Sequence, residues 1–345
     1  MTRYILRRIV SSIFVLLVIV TASLWLTRQA PSNPCQKEKE ANTCACMKTF
    51  KLDRPTFPVW FGQAVDPVEG CQFWEPESSF SLGPINMVGL SDWGDTQYFL
   101  YMEQLVQGDL GPSMRNQNRT VNELLGQALP YTLQLGFQAL LLAIIIGIPA
   151  GMFAGLKQNT AADYTTMTVA MVGVAVPNFV LGPILILLFA KGQQGLGWFD
   201  PGGWDTFKDS ILPTITLALY YAAYIARLTR GGILEMVRKD FVRTARAKGL
   251  KESTVVTRHT LKGTILPVVS YLGPAFAAML TGSVVVEQIF NLPGIGTYFV
   301  ESALNRDYNM VIGAVIIYSS LLVALNFVVD IAYTMIDPRV DYEDR

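Results

Sequence analysis

Six stretches of low charge, 9–26, 129–156, 165–190, 212–228, 265–286 and 311–336, divide the chain. Each is about long enough to cross the ~30 Å hydrocarbon core of a bilayer as a helix rising roughly 1.5 Å per residue. A chain divided in this way is expected to fold as an all-α polytopic membrane protein with six transmembrane helices. Composition agrees. Of 345 residues 51% are hydrophobic and only 16% charged, richer in apolar and poorer in charged side chains than a usual soluble domain.

Charge orients the spans. From Arg227 through Lys262 the chain carries ten basic and three acidic side chains, and a basic loop between two spans stays on the cytoplasmic side. Arg3, Arg7 and Arg8 ahead of the first apolar run place the N-terminus on that side too, and the count of crossings returns the charged tail with Asp337 and Arg339 to it. A cleaved signal peptide is the competing reading of the first run, which is long for a signal core. The formal net charge of zero hides this asymmetry, so charge reports topology and implies no nucleic-acid partner.

The chain divides into 1–27, an N-terminal end and first transmembrane helix; 28–128, an exported cap; and 129–345, a five-helix core. The cap is polar, carries Trp60, Trp74 and Trp93, and holds all four cysteines, Cys35, Cys44, Cys46 and Cys71. Cysteines confined to an exported segment suit an oxidising compartment and one or two disulfides, whose pairing stays open. A metal site made of the same thiols is the alternative, disfavoured by irregular spacing and by the lack of histidine in the segment. In the second span Gly147, Gly151 and Gly155 recur every four residues, which allows close helix packing or a hinge, and Pro149 can introduce a bend. His259, the single histidine, lies at the water interface with no partners for a triad or a metal site.

Within the basic loop, residues 240–250 read as a short capped helix: Asp240, Phe241, Val242, Arg243, Thr244, Ala245, Arg246, Ala247, Lys248, Gly249 and Leu250. Asp240 is placed to accept the first free amide hydrogens, and Gly249 to take the left-handed turn that closes the far end. Ser253 is placed to cap the next helix, which rises through Arg258 and Lys262. A loop that merely satisfied the positive-inside rule would need neither caps, nor small alanines at 245 and 247, nor apolar side chains among the charges. The segment reads as built to dock.

The stretch from Asp240 to Leu250, followed by Arg258-His-Thr-Leu-Lys-Gly-Thr-Ile-Leu-Pro267, resembles the cytoplasmic signature of ABC importer permeases, most closely the dipeptide/oligopeptide branch. The superfamily's Glu-Ala-Ala is replaced by Arg243, Thr244 and Ala245, as is typical of that branch. Residues 129–135, 146–151 and 177–182 are similar to the family as well. So are 52–55, 97–98 and 108–113, although some forty residues intervene where the family is usually compact. Glu287-Gln-Ile-Phe-Asn-Leu-Pro-Gly-Ile-Gly296 and Asn305-Arg-Asp-Tyr308 resemble the peptide-permease signature at the outer mouth. There Glu287, Asn291, Pro293, Gly294 and Gly296 are pathway candidates, with Glu287 either lining the passage or snorkelling to the boundary.

Missing chemistry narrows the mechanism. The middles of the spans hold almost no ionisable residue, Asp330 lying near the inner end of the last, which disfavours a proton-coupled carrier. No Ser/Lys, paired-Asp or His-rich constellation lies at membrane depth, and no Gly-x-x-x-x-Gly-Lys-Ser/Thr loop exists, so neither intramembrane catalysis nor nucleotide binding is expected of this chain. The resemblance implies a type I ABC importer fold with an irregular extracytoplasmic insertion. It also implies a second homologous permease, two ATP-binding subunits that carry the ATP and magnesium, and an extracytoplasmic substrate-binding protein. The expected function is the permease half of an importer for short peptides, in a bacterial or archaeal plasma membrane. The same machinery serving nickel, sugar or another solute, and a non-transporting scaffold or receptor component, are the alternatives.

Overall fold

The structure, a computed structural model, describes residues 2–28, 46, 59–61, 79–82, 85–88, 95–116, 118–192 and 195–336. Cys35, Cys44, Cys71, the stretch 52–55, Trp74, Trp93 and the tail from 337 lie outside the described residues. The helices are α1 Thr2–Arg28, α2 Gln97–Val106, α3 Val121–Leu156, α4 Ala161–Ala175, α5 Asn178–Phe189 and α6 Ile211–Met236. They continue as α7 Asp240–Ala247, α8 Glu252–Ile289, α9 Ile295–Asn305 and α10 Tyr308–Ile336. Among the described residues five helices are long and apolar enough to cross a membrane, and counting the bent pair α4–α5 as one broken span gives six.

Two expected spans differ in detail. The second starts at Val121, because Thr120 and Glu123 form a capping box: the Glu123 amide donates to Thr120 Oγ1 at 3.2 Å and the Thr120 amide to Glu123 Oε2 at 3.4 Å. The third is no single rod. α4 and α5 meet at 106°, with Val176 extended (φ −81°, ψ 116°) ahead of Pro177, whose ring disfavours helix in the preceding residue and which has no amide hydrogen to continue the ladder.

The chain divides into two compact units. The first comprises 1–8, 128–297 and 320–345. Its core gathers Leu135, Ala139 and Ala143 of α3, Leu217, Ala222 and Ile225 of α6, and Ala275, Met279 and Phe290 from α8 and its end, all buried. The glycine stripe of α3 lies on α6. A Cβ at Gly147 would sit 2.7 Å from the Ala222 carbonyl oxygen, one at Gly151 would overlap the Ala226 carbonyl, and one at Gly155 would sit 2.8 Å from Ile233 Cβ. Absent side chains let two parallel helices touch backbone to side chain, the contact available where lipid gives no hydrophobic drive between helices.

The second unit comprises 9–127 and 298–319. Three short strands, β1 Val59–Phe61, β2 Ser79–Leu82 and β3 Ile85–Val88, form an antiparallel sheet with β3 in the middle, so the insertion expected to be irregular holds regular structure as well. Val20 and Leu24 of α1 pack with Tyr101 of α2 and Ile312 of α10, and the Thr21 and Tyr98 hydroxyls lie 3.2 Å apart.

Candidate functional site

The segment 240–250 forms a helix of two turns, α7, seated on the base of α8. Lys239 is its N-cap (φ −73°, ψ 146°), and Asp240 is the first helical residue, its carboxylate nearly fully exposed and making no capping bond. This corrects the capping role expected of Asp240: a carboxylate one position inside the helix favours the N-terminal dipole without reaching back to its amides. The helix that follows likewise begins at Glu252 with Lys251 as N-cap, so Ser253 lies inside it and caps nothing.

The far end is closed as read. Gly249 has φ +76°, its amide donates to the Arg246 carbonyl at 2.9 Å and the Leu250 amide to the Ala245 carbonyl at 3.4 Å, the paired bonds of a Schellman turn. Val242 and Ala245 point inward and form a small buried cluster with Val255. Val255 opens a π-helical stretch, Val255–Thr260, where the Thr260 hydroxyl donates to the Val255 carbonyl at 3.2 Å. Arg246 adds a bidentate clasp on Glu252, at 2.6 and 3.1 Å, and the carboxylate pushes that guanidinium above its ordinary range. The opposite face presents Arg243, Thr244, Ala247 and Lys248 with two exposed apolar side chains, Phe241 (49% exposed) and Leu250 (42%). A peg buried on one side and both greasy and basic on the other suits docking into a groove.

Asp163 at the start of α4 is 1% exposed and is gripped by Arg230 of α6, Nε to Oδ1 at 2.6 Å and Nη2 to Oδ2 at 2.7 Å, with the Asn159 amide donating to Oδ2 at 3.0 Å. Sequence reading missed this pair, having begun the span at residue 165 and treated Arg230 as loop charge. An acidic residue three places into an otherwise apolar helix was the available signal.

At the end of α8, Glu287 is 1% exposed. Thr132 and Ser283 hydroxyls each donate to Oε1 at 2.9 Å, and the Gly296 amide donates to Oε2 at 2.7 Å. The carboxylate therefore does not snorkel; it is the post around which the turn 287–296 is wound. A Cβ on Gly294 would overlap it and one on Gly296 would come within 2.7 Å, which is why the turn needs glycine at both places. Gly294 and Gly296 are buried, whereas Asn291 (φ +50°) and Pro293 are exposed.

In the second unit, two separate stretches of the signature meet. Asp307 accepts from the Ser113 hydroxyl and from the amides of Met114 (3.1 Å), Arg115 (3.3 Å) and Met310 (3.2 Å), while Asn309 Nδ2 donates to the Pro112 carbonyl at 3.0 Å. One buried aspartate thus pins the loop 112–115 and starts α10. Cys46 is disulfide-bonded.

The sequence model described as the binding-protein-dependent transport system inner membrane component matches residues 147–342. The oligopeptide transport system permease protein of Salmonella typhimurium is 41% identical over 99% of this chain and 100% of its own length. The dipeptide transport system permease protein of Bacillus subtilis is 33% identical over 99% of this chain and 98% of its own length. In structure, the inward-facing methionine ABC transporter MetNI has a chain that is similar at a TM-score of 0.51 with 16% identity, covering 62% of this chain and 96% of that one, which speaks for the fold. A match over residues 147–342 and full-length relatives at 41% and 33% identity, on a chain of apolar membrane helices, place it: it belongs to the inner membrane components of binding-protein-dependent transport systems.

Proposed function

We propose that this chain is the permease subunit of an ATP-driven importer for short peptides. It forms half of the translocation pathway, a second homologous permease forms the other half, and two separate subunits bind and hydrolyse ATP with magnesium. A binding protein delivers peptide on the outer side. The N- and C-termini face the cytoplasm of a bacterial or archaeal cell, and residues 28–128 face outward, stapled by their cysteines. The observation that carries the coupling is the peg: α7 exposes Phe241 and Leu250 while Val242 and Ala245 bear on the π-helical base of α8, so a push on the peg is delivered to a membrane span. The choice of peptide over nickel or sugar rests on the two full-length relatives named for oligopeptide and dipeptide transport.

The test uses the complex reconstituted in vesicles with its binding protein. Import of a labelled tripeptide is expected, and its absence, with nickel or a sugar imported instead, would move the chain to the alternative substrate. No import of any solute would favour the scaffold reading. Gly249→Trp is expected to leave assembly into the membrane intact and to abolish the ATP hydrolysis that the loaded binding protein stimulates. A Cβ at Gly249 meets nothing within 4 Å, so the added ring projects into the docking face and not into the fold.

A further inference from the structure

The exposed faces of the membrane helices are of two kinds. On α4 and α5 they carry large apolar side chains such as Val169, Val172, Phe179 and Leu187, as a lipid contact requires. On α6 and α8 they do not: Tyr220 and Val285 are the only large hydrophobic residues exposed on those two membrane helices among the described residues. Instead α6 presents Tyr220, Tyr224, Arg227 and Gly231 at helical spacing, and α8 presents Tyr271, Pro274, Ala278, Thr281 and Gln288 in the same way, each exposed or half-buried. Phenols sit well at the headgroup level, yet Tyr220 lies about 14 Å along α6 from Ile211, near the middle of a ~30 Å core. A face of phenols, a guanidinium and mostly small or polar side chains, with Val285 the one large aliphatic group among them, fits a water-filled passage at that depth better than lipid.

The side chains on this face are already arranged. Tyr224 of α6 stacks on Tyr271 of α8 with centroids 4.3 Å apart and planes 27° apart, Tyr220 meets Tyr221 edge-on at 5.1 Å, and the Arg227 guanidinium lies 4.8 Å from the Tyr224 ring centre. Three residues on, Arg230 is consumed by Asp163, whereas Arg227 is exposed and has no ion pair among the described residues. The geometry points to a peptide-contact site made of Tyr220, Tyr224, Tyr271 and Arg227 on the passage-facing side of α6 and α8, an assignment that rests on the peptide-import reading. Aromatic faces contact main chain and side chains without demanding a sequence, as an importer of varied peptides requires. Arg227, toward the cytoplasmic end, takes a carboxylate with charge-assisted hydrogen bonds while remaining over its ring.

The test is substrate trapping in the complete complex with its binding protein and ATP. A tritiated Ala-Cys-Ala whose thiol is activated as a pyridyl disulfide is offered to Tyr220→Cys, to Ala278→Cys, and to Val172→Cys on the lipid face. Labelling of the first two at least about tenfold above the third, competed by unactivated peptide, is expected. Combining Tyr220→Cys with Arg227→Gln should cut the labelling about tenfold, the worth of one charge-assisted contact, and Arg227→Lys should restore most of it. Equal labelling at all three positions, or cross-linking of Tyr220→Cys only to the second permease, overturns the assignment while the unmodified complex still imports peptide. Failure of the unmodified complex to import peptide sinks the peptide reading itself and the ligand assigned here with it.

Discussion

Two buried carboxylates set the residue scale, and their partners decide what a substitution costs. Glu287 accepts from hydroxyls and backbone amides, with no charged partner among the described residues. Glu287→Ala leaves the Gly296 amide without its acceptor inside a buried turn and is expected to destabilise by about 2–4 kcal/mol, read as a lower unfolding temperature in detergent. Glu287→Gln keeps an acceptor for Gly296, and its amide group can donate to Thr132 and Ser283, so about 1 kcal/mol or less is expected. Asp163 and Arg230 differ because both partners are charged. Asp163→Ala strands a guanidinium that is 27% exposed, so we expect about 2–3 kcal/mol, below the 3–5 typical of fully buried pairs. The double variant Asp163→Ala with Arg230→Met is expected to recover at least half of that loss in the same melting experiment, since neither charge remains.

At the scale of elements, the stripe of α3 and the peg make opposite demands on glycine. At Gly151 the space is taken by the Ala226 carbonyl, so Gly151→Val should separate α3 from α6 at a cost of about 2 kcal/mol or more, seen as poor yield and early melting. Gly126, on the same helix, has nothing within 4 Å, and Gly126→Ala is expected to be neutral or to stabilise by up to about 1 kcal/mol. Gly249 is needed for its positive φ and not for space, so Gly249→Ala costs about 1–2 kcal/mol locally while leaving the docking face open. Partial retention of stimulated ATP hydrolysis in Gly249→Ala against its loss in Gly249→Trp separates the strain of the turn from obstruction of docking. The π stretch at 255–260 belongs to this scale too: its wider, i→i+5 bonded turn departs from regular α-helix at the base of α8, and the peg rests on it through Val255.

For the whole molecule the prediction is one of sidedness. A membrane-impermeant maleimide applied to right-side-out vesicles should label Asp205→Cys in the outer loop and spare Lys248→Cys, with the reverse in inverted vesicles; the opposite pattern would overturn the orientation proposed above. The number of spans, their boundaries to within a turn at several ends, and the basic loop with its left-handed close at Gly249 were legible in the chain, because bilayer thickness, the positive-inside bias and the conformational freedom of glycine are local constraints that act on consecutive residues. The break at Pro177 was legible in principle, and was missed because an uncharged run reads as one span whether or not it bends. Cap residues slipped by one or two positions at Asp240 and Ser253, since acidic and hydroxyl side chains suit both the cap and the first turn. What sequence alone determined is thus the class of the protein, its expected sidedness and the place of its short basic helix. Only the tertiary structure decided that Glu287 is a structural post, that Asp163 holds Arg230, that Ser113 meets Asp307, and that the tyrosines of α6 and α8 form one polar face. Each of these joins residues far apart in the chain, and which side chain a buried charge or an exposed ring will find depends on packing in three dimensions that no local pattern encodes.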